Sequence, residues 1–433
     1  MLKTFKLKNG IQVATYNLPD LRSIHLEVIT KSGSLVETTK NNGVAHFMEH
    51  MLVQGTPSFP SVEDLSGHIE SLAGSYGAYT SNLTVGFHIT LPKTHLKDAV
   101  QISSEVFFEP LFANEAIDRE RQVIIEEIRE KMDSHWFKIN EFFRAVRFGE
   151  NHPLNRNPAG QIEIVKILTR DDLTLFWKKY FLPTNTSIVV TGKFDPDQLL
   201  KLLEKYFGQY KSQEAFPGFP KITRDDFSRR QVSIRHDKSL GSNYLDLAFP
   251  ILDLLAPLNL RVKQNLAFVV LGGIRNSRLF KLLRYQRGLV YNVSSGAATW
   301  PGLGYGYIGC EVSTENLDEV VSLISRELSA LYKNGPTDSE IAFVKNYLNN
   351  QWLMSFDHPS AITGWMENDL LWNDKIRMPE EYIEMIKDFT AKECVEIMKK
   401  YWDFSKLVLT IQGPLKSSKE NIKKFEALIQ ELK

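Results

Sequence analysis

Residues 43–56 read Gly-Val-Ala-His-Phe-Met-Glu-His-Met-Leu-Val-Gln-Gly-Thr, and their centre has the pattern His-x-x-Glu-His. Residues at positions i and i+4 of a helix lie on one face, so His46 and His50 can hold one metal ion. Glu49 follows His46 by three residues and is close enough to orient a water molecule at that ion and accept its proton. The pattern therefore predicts a catalytic zinc site with Glu49 as the general base.

A third ligand is needed, because catalytic zinc usually takes three protein ligands and a water molecule. Residues 114–132 predict a helix, since isoleucines recur at helical spacing and Asn114 can cap its N-terminus. This helix carries several carboxylates, and spacing alone does not choose between Glu126, Glu127 and Glu130. Acidic helix faces are usually only solvated.

The motif and its flanking residues closely resemble the pitrilysin family of zinc metallopeptidases, the inverzincins. That family includes insulin-degrading enzyme, mitochondrial processing peptidase and small bacterial two-domain peptidases. Its members carry the third ligand as the second Glu of Glu-Arg-x-Val-Ile-x-x-Glu, about 77 residues after the second His. Here that stretch is residues 120–127, and Glu127 follows His50 by 77 residues. The resemblance implies Glu127 as the third ligand of one Zn²⁺ per chain, with Glu120 as an assisting carboxylate beside the ligands.

The chain also repeats itself at an offset of 221 residues. Three pairs of segments show this offset: 169–181 with 390–402, 187–192 with 408–413, and 96–98 with 317–319. A constant offset indicates duplication of a unit of ordinary domain size. We therefore predict an N-terminal zinc-binding domain at 1–212, a linker at 213–228, and a homologous C-terminal domain at 229–433. At this offset the three ligands align with Ala267, Leu271 and Leu348, so the second domain lacks a metal site.

Each half mixes amphipathic helices with alternating strands, which predicts the α+β class with mostly antiparallel sheets packed against helices. Residues 11–16 and 24–30 are expected to pair as antiparallel strands, and residues 79–91 to form one long alternating strand. The resemblance implies the same architecture, with two homologous halves that face each other across a cavity.

Two residues of the second half resemble a pair that the family keeps in its C-terminal domain. Arg284 and Tyr291 are seven residues apart, within Leu-Arg-Tyr-Gln-Arg-Gly-Leu-Val-Tyr. The resemblance implies that they approach the scissile peptide, where both can donate to a carbonyl oxygen that becomes negative. Arg287 is a neighbouring alternative without that spacing. Outside the family context, a surface arginine is the ordinary interpretation.

A substrate-binding strand is implied at Gly77, Ala78, Tyr79 and Thr80. In the family this region is an edge strand that pairs with an extended peptide through main-chain hydrogen bonds. The family usually has Asn at the position of Gly77, and the segment 80–84 is one residue shorter than usual. Both departures bear on the contact with substrate, and neither affects a metal ligand.

Composition excludes several classes of function. The 433 residues contain 52 Lys plus Arg and 52 Asp plus Glu, so no basic surface indicates nucleic-acid binding. No apolar run is long enough to span a membrane, and the polar N-terminus shows no signal peptide. The two cysteines, Cys310 and Cys394, suit packing in a reducing compartment. We therefore expect a cytoplasmic protein.

The favoured hypothesis is a zinc-dependent endopeptidase that hydrolyses peptides or unfolded segments inside an enclosed chamber. The resemblance implies a dimer: a homodimer is favoured because one chain keeps both the metal motif and the Arg/Tyr pair, and a heterodimer with a related chain is possible. The alternative is an inactive structural or partner subunit of the same fold. A metal-dependent hydrolase of a small non-peptide substrate is disfavoured by the size of the chain and by the edge-strand region.

Overall fold

The computed structural model describes residues 2–212, 214–373 and 375–432. The strands are β1 Leu2–Lys6, β2 Gln12–Asn17, β3 Ser23–Thr30, β4 Ser75–Thr80, β5 Val85–Pro92, β6 Thr186–Gly192, β7 Gln231–His236, β8 Asn243–Ile251, β9 Val290–Trp300, β10 Leu303–Val312 and β11 Val408–Gly413.

The α-helices are α1 Val44–Leu52, α2 Val62–Ser71, α3 Leu96–Phe108, α4 Asn114–Asp133, α5 His135–Phe148, α6 Ile162–Val165, α7 Arg170–Tyr180, α8 Pro196–Tyr206, α9 Leu258–Phe268, α10 Leu317–Asn334, α11 Asp338–Met354, α12 Pro359–Trp372, α13 Pro379–Ile386, α14 Ala391–Tyr401 and α15 Lys419–Leu428. Two π-helical segments, Val269–Gly273 and Phe280–Gln286, follow α9. Helix α4 lies where the sequence predicts a helix, but Asn114 is its first residue and Ala113 is the N-cap. Among the described residues, no helix combines the length and apolar character needed to cross a bilayer.

The first compact unit comprises residues 1–134, 156–220 and 355–376. Its sheet has the order β1-β2-β6-β3-β5-β4, and every pair is antiparallel except β2 with β6. Strand β6 is buried along its whole length, as expected for a central strand that is covered on both faces. Strand β4 lies at the edge of the sheet. The predicted α+β class is confirmed.

Two details of the predicted strand pairing are wrong. Strands β2 and β3 are not neighbours, because β6 lies between them and pairs with both. Residues 79–91 are not one strand but belong to a hairpin of β4 and β5. The turn arises at Ser81, whose side-chain oxygen accepts hydrogen bonds from the backbone N–H groups of Leu83 and Thr84. Such local bonds favour a turn over continued strand.

The second unit comprises residues 135–155, 221–354 and 377–433. Its sheet has the order β7-β11-β8-β10-β9, which is the order of the first sheet without β1. The pair β7–β11 is parallel, like β2–β6, and Gln231 lies opposite Val408 as Gln12 lies opposite Ser187. The two units therefore share one topology, as the 221-residue offset predicts.

The units are not contiguous in sequence as the predicted ranges are. Residues 135–155 belong to the second unit and residues 355–376 to the first, while the boundary at 220/221 falls within the range predicted for the linker. The reason is apolar packing: Ile362 and Met366 of α12 lie in one cluster with Ile29 and Val189 of the first sheet. Periodicity within a helix gives no sign of which sheet it will cover.

Helix α1, which carries the motif, packs on the opposite face of the first sheet. Phe47 and Met48 are fully buried in the main core of that unit, together with Leu26 of β3 and Phe87 of β5. Burying side chains of this size stabilises the folded state by roughly 1.5–3 kcal/mol each. This packing leaves the other face of the helix to present His46 and His50.

A buried acidic network lies on the α12 side of the first sheet. The Tyr79 hydroxyl is 2.6 Å from Glu27 Oε1 and 3.2 Å from Glu367 Oε1. One phenol has only one proton to donate, so it cannot satisfy two ionised carboxylates at once. Burial raises the pKa of Glu27, and burial together with the nearby Glu27 raises the pKa of Glu367 to about 8.

Wild-type protein is expected to lose stability as pH rises from about 4.5 to about 8. In that window an unfolded Glu367 has released the proton that the folded chain retains, so the free energy of unfolding falls. Glu367→Gln should remove this part of the pH dependence and raise stability at pH 8.5 by on the order of 2 kcal/mol. Urea unfolding at pH 5 and pH 8.5 measures the effect, with the exposed Glu63→Gln as control. Parallel pH profiles for wild type and Glu367→Gln would contradict it.

Candidate metal centre

Helix α1 is held at its N-terminus by a buried carboxylate. Glu37 Oε1 accepts a hydrogen bond from the backbone N–H of Ala45 at 2.9 Å. Its Oε2 accepts from the N–H of Gly43 at 3.0 Å and from Asn42 Nδ2 at 2.7 Å. These bonds satisfy N–H groups that a helix start leaves without partners. Burial raises the pKa of Glu37 to about 7 in spite of these bonds.

A close approach of two glycines also fixes this helix start. Gly43 has φ +102°, and a Cβ built on it would lie 2.8 Å from the Cα atom of Gly160. Gly160 likewise has φ +94° and leaves no room for a Cβ beside Gly43. Only glycine suits such positions without strain. The contact brings the loop at 159–160 against α1.

The three predicted ligands converge. Glu127 Oε2 lies 3.4 Å from His46 Nε2 and 3.5 Å from His50 Nε2. Four ligands placed tetrahedrally around zinc at about 2.0–2.1 Å are separated from one another by about 3.3 Å. Among the described residues, this trio is the group of potential ligands whose atoms all lie within 4.8 Å of one another. The donor set and its spacing therefore fit a zinc ion.

Both imidazoles present Nε2 to this point because their Nδ1 atoms have other partners. His46 Nδ1 lies 3.3 Å from the carbonyl oxygen of Ala159, the residue that the glycine contact brings to α1. His50 Nδ1 lies 3.0 Å from Glu120 Oε2. Hydrogen bonds of this kind orient the ring and leave Nε2 available for the metal. Glu120 thus lies where an assisting carboxylate is predicted.

The three carboxylates of α4 point in different directions, and Glu127 is the one that faces the histidines. Glu127 turns Oε2 to the histidines, and its Oε1 accepts a hydrogen bond from Lys131 one helical turn later. Glu126 points away, pairs with Arg129 and has 67% of its side chain exposed. Glu130 is also exposed. Sequence spacing left these alternatives open because all three lie within about one helical turn.

The protonation states suit cation binding. Burial and the adjacent His50 lower the pKa of His46 to about 4, so this ring is neutral at pH 7. Burial also opposes protonation of His50. The hydrogen bond to Glu120 and the charges of the Glu49 and Glu127 carboxylates outweigh it, so the pKa of His50 is raised overall. Burial would raise the pKa of Glu127, and Lys131 with the two histidines lowers it instead. Glu127 is therefore an anion, and a divalent cation would displace any proton from His50.

Glu49 is the carboxylate of the motif that remains outside this trio. It is partly buried, and burial raises its pKa, while the neighbouring Thr80 hydroxyl and His50 oppose the shift. A carboxylate of raised pKa is a better proton acceptor, which suits a general base. Thr80 belongs to β4, so the edge strand and the motif helix meet at this carboxylate.

The four residues of the implied substrate strand all lie in β4, at the edge of the first sheet. Tyr79 points into the acidic network, and Thr80 lies beside Glu49. Gly77 faces His88 across the hairpin, and a Cβ on residue 77 would lie 2.8 Å from the imidazole Cε1. Residue 77 therefore has room for no side chain here. The role of this strand in binding substrate stays a prediction.

Arg284 and Tyr291 lie in the second unit and contact each other. Arg284 belongs to the second π-helical segment and Tyr291 to β9. The guanidinium carbon lies 4.8 Å from the centroid of the tyrosine ring, which is 82% exposed. The exposed Arg287 pairs instead with Glu319. The participation of Arg284 and Tyr291 in a reaction stays a prediction.

Sequence reasoning missed Glu37. It precedes His46 by nine residues, in a segment without periodic apolar residues. Its hydrogen bonds to the start of α1 depend on a turn of the chain that no short sequence motif predicts. A buried carboxylate at a helix N-terminus can be recognised only when the path of the chain is known.

Comparison with known families agrees with this geometry. The family described as Insulinase (Peptidase family M16) matches residues 12–156, and the one described as Peptidase M16 inactive domain matches residues 168–348. The chain belongs to peptidase family M16. The predicted family is thereby confirmed, and the half that matches the inactive domain is the half without the metal ligands.

Proteins of similar sequence align with most of the chain. An uncharacterized zinc protease of Bacillus subtilis is 26% identical over 83% of this chain and 86% of its own length. The beta subunit of mitochondrial-processing peptidase from Saccharomyces cerevisiae is 26% identical over 91% of this chain and 87% of its own. The homologues are thus named as zinc proteases, or as a peptidase subunit.

Solved structures show the same two-domain fold. A protease from Helicobacter pylori has a TM-score of 0.85 at 19% identity, covering 96% of this chain and 99% of that one. A chain of complex III from Candida albicans has a TM-score of 0.80 at 16% identity, covering 98% and 100%. At such identities the likeness shows the fold alone.

Glu120→Gln is expected to weaken zinc binding by about 10- to 100-fold without unfolding the protein. The substitution removes the charge that faces His50 Nδ1 while keeping the shape of the side chain. Competition with a chromophoric chelator measures the affinity. Glu115→Gln, an exposed residue in the first turn of the same helix, is the control. Equal zinc affinity for Glu120→Gln and wild type would show that Glu120 does not support the ligand.

Proposed function

We propose that this protein is a zinc-dependent endopeptidase that hydrolyses peptides or unfolded polypeptide segments. The observation that carries the proposal is the convergence of His46, His50 and Glu127 at zinc-ligand spacing beside the free carboxylate of Glu49. Membership of a peptidase family and the zinc protease homologues support it.

His46, His50 and Glu127 would hold the ion. Bound there, zinc would polarise the scissile carbonyl and make water more acidic. Glu49 accepts the proton of the attacking water and delivers it to the leaving amine. Glu120 keeps the His50 ring oriented, and the Ala159 carbonyl does the same for His46.

Strand β4 is the proposed binding site for substrate. As an edge strand it has backbone groups that no neighbouring strand of its sheet pairs, and an extended peptide can pair with them. Main-chain pairing holds a peptide whatever its side chains, and a folded protein offers no free extended segment to it. This favours peptides and unfolded segments over the small non-peptide substrates.

The experiment that tests the proposal measures zinc and hydrolysis on one preparation. We expect close to one zinc per chain by mass spectrometry, hydrolysis of a mixed peptide library, loss of activity with a chelator and recovery with added Zn²⁺. Protein without stoichiometric zinc, or zinc-loaded protein that cleaves nothing in the library, would instead favour the inactive structural or partner subunit.

Association into a homodimer is part of the proposal, because one chain carries both the metal motif and Arg284 with Tyr291. The beta subunit of mitochondrial-processing peptidase is similar to this chain over most of its length, so subunit association occurs among similar proteins. Light scattering tests it: a fully active monomer at working concentration would contradict the dimer. The cytoplasmic location stays a prediction.

A further inference from the structure

One side chain, Glu37, joins the start of α1 to the segment that precedes it. It is 3% exposed, and its two carboxylate oxygens accept three hydrogen bonds. The donors are the backbone N–H groups of Gly43 and Ala45 and the side-chain amide of Asn42. All three are N–H groups, so this site requires an acceptor at both oxygens of residue 37.

The same carboxylate is linked to the loop that orients His46. Asn42, which donates to the carboxylate, also donates to the carbonyl oxygen of Asn157 at 3.0 Å. The Asn157 side-chain oxygen accepts a hydrogen bond from the backbone N–H of Ala159 at 3.1 Å. The Ala159 carbonyl oxygen lies 3.3 Å from His46 Nδ1. A chain of hydrogen bonds therefore runs from the buried carboxylate to the ring of a metal ligand.

The backbone beside His46 is held as well. Ala45 directly precedes this residue, and its N–H group donates to Glu37 at 2.9 Å. The Ala45 carbonyl oxygen accepts a hydrogen bond from the Thr80 hydroxyl at 3.3 Å. Because both peptide groups of Ala45 have fixed partners, the Cα atom of His46 is positioned together with its ring.

The second unit lacks this arrangement as well as the ligands. The 221-residue offset places Leu258 at the position of Glu37 and Gln264 at the position of Gly43. Leu258 is the first residue of α9, and the N-cap of that helix makes no side-chain hydrogen bond. The shared fold therefore does not require a carboxylate at this helix start, and the carboxylate occurs in the unit that has the metal ligands.

We propose that Glu37 is a positioning residue for the metal centre, which fixes the backbone and the ring of His46 and thereby sets the affinity of the site for zinc. The inference rests on the proposed zinc peptidase function for the identity of the ion. Glu37 acts through its hydrogen bonds and is not itself a ligand.

Glu37→Gln keeps the shape of the side chain but should disturb this arrangement. Glutamine has one acceptor oxygen and one NH₂ group, and the NH₂ group would face an N–H donor on whichever side it lies. At least one buried N–H group would then lose its acceptor, which is unfavourable. A shift of the helix start or of the loop relieves the conflict, and either shift moves His46.

The test measures zinc affinity by competition with a chromophoric chelator at pH 8.5, above the pKa of about 7 that burial gives Glu37. We expect Glu37→Gln to weaken zinc binding about tenfold. It should also change the visible absorption of Co²⁺ bound in place of zinc, because that spectrum depends on ligand geometry.

Glu105→Gln is the matched control and should keep wild-type zinc affinity. Glu105 is another buried carboxylate of the first unit, and it accepts hydrogen bonds from Thr56, Ser58 and Gln101, which lie outside α1 and the loop. Wild-type zinc affinity with an unchanged Co²⁺ spectrum in folded Glu37→Gln, or an equal loss of affinity in both variants, would overturn the inference.

Asn42→Ala decides the matter if Glu37→Gln does not fold. It leaves the N–H groups of Gly43 and Ala45 with their acceptor and removes the link to the loop. We expect it to weaken zinc binding severalfold, and wild-type affinity in this variant would then overturn the inference.

Hydrogen exchange of the metal-free proteins separates this inference from the proposed function. Glu37→Gln should exchange the backbone amides of α1 severalfold faster than wild type, and Glu105→Gln should not. If the wild type bound no zinc, faster exchange in Glu37→Gln would contradict only the zinc peptidase function. Unchanged exchange of α1 in folded Glu37→Gln would overturn the inference whatever the wild type binds.

Discussion

Glu49→Gln is expected to lower kcat/KM for peptide hydrolysis by about 10² to 10⁴. Glutamine keeps the size of the side chain and can still hydrogen-bond, but it cannot accept a proton from water. Glu49 is not one of the three converging ligands, so the variant should retain zinc at the wild-type ratio. Single-turnover assays on a quenched peptide, with zinc measured on the same sample, give both results.

The comparison between activity and metal content is what makes this experiment informative. Loss of activity with full zinc content would identify Glu49 as the proton acceptor rather than a ligand. Equal turnover by Glu49→Gln and wild type would remove Glu49 from the mechanism. A variant that loses both zinc and activity would mean that the carboxylate acts as a ligand, contrary to the geometry described above.

Glu127→Ala is expected to abolish stoichiometric zinc binding and to reduce hydrolysis to background. It leaves two imidazoles, whereas a catalytic zinc site normally has three protein ligands. Loss of supporting residues alone weakens metal binding by about 10- to 100-fold, and loss of a ligand should exceed that. Dialysis against buffered zinc followed by metal analysis measures the change.

Glu126→Ala is the matched control, since it removes an adjacent carboxylate from the same helix. Its side chain points to solvent and pairs only with Arg129, an exposed pair of small energetic value. We expect wild-type zinc content and activity for it. If Glu126→Ala lost zinc while Glu127→Ala retained it, the assignment of the third ligand would be wrong.

The pairing of the two histidines of the candidate metal site was predictable because its main constraint is local. The spacing of His46 and His50 determines that they share a helix face, whatever the rest of the chain does. The third ligand was different: spacing left three carboxylates open, and the family resemblance pointed to Glu127. The structure then brings Glu127, and neither of its alternatives, within 3.5 Å of both histidines.

Other features depended on non-local packing and were missed or wrong. The pairing of β2 with β3 was wrong because β6, far along the chain, inserts between them. Two helical segments belong to the unit that their place in the sequence does not suggest: residues 135–155 to the second and residues 355–376 to the first. The sheet that each helix covers decides this. His88 fills the space beside Gly77 because the two residues lie opposite each other in the hairpin. That register is not determined by the alternation of polar and apolar residues alone.

The order of the first sheet has a consequence for synthesis of the chain. Strand β2 can pair with β6 only after about 175 further residues have been made, and α12 follows another 170 or so later. Until α12 leaves the ribosome, the apolar sheet face that includes Ile29 and Val189 stays uncovered. Non-local pairing of this kind folds slowly, so we expect a nascent chain of this protein to be prone to aggregation until α12 has been made.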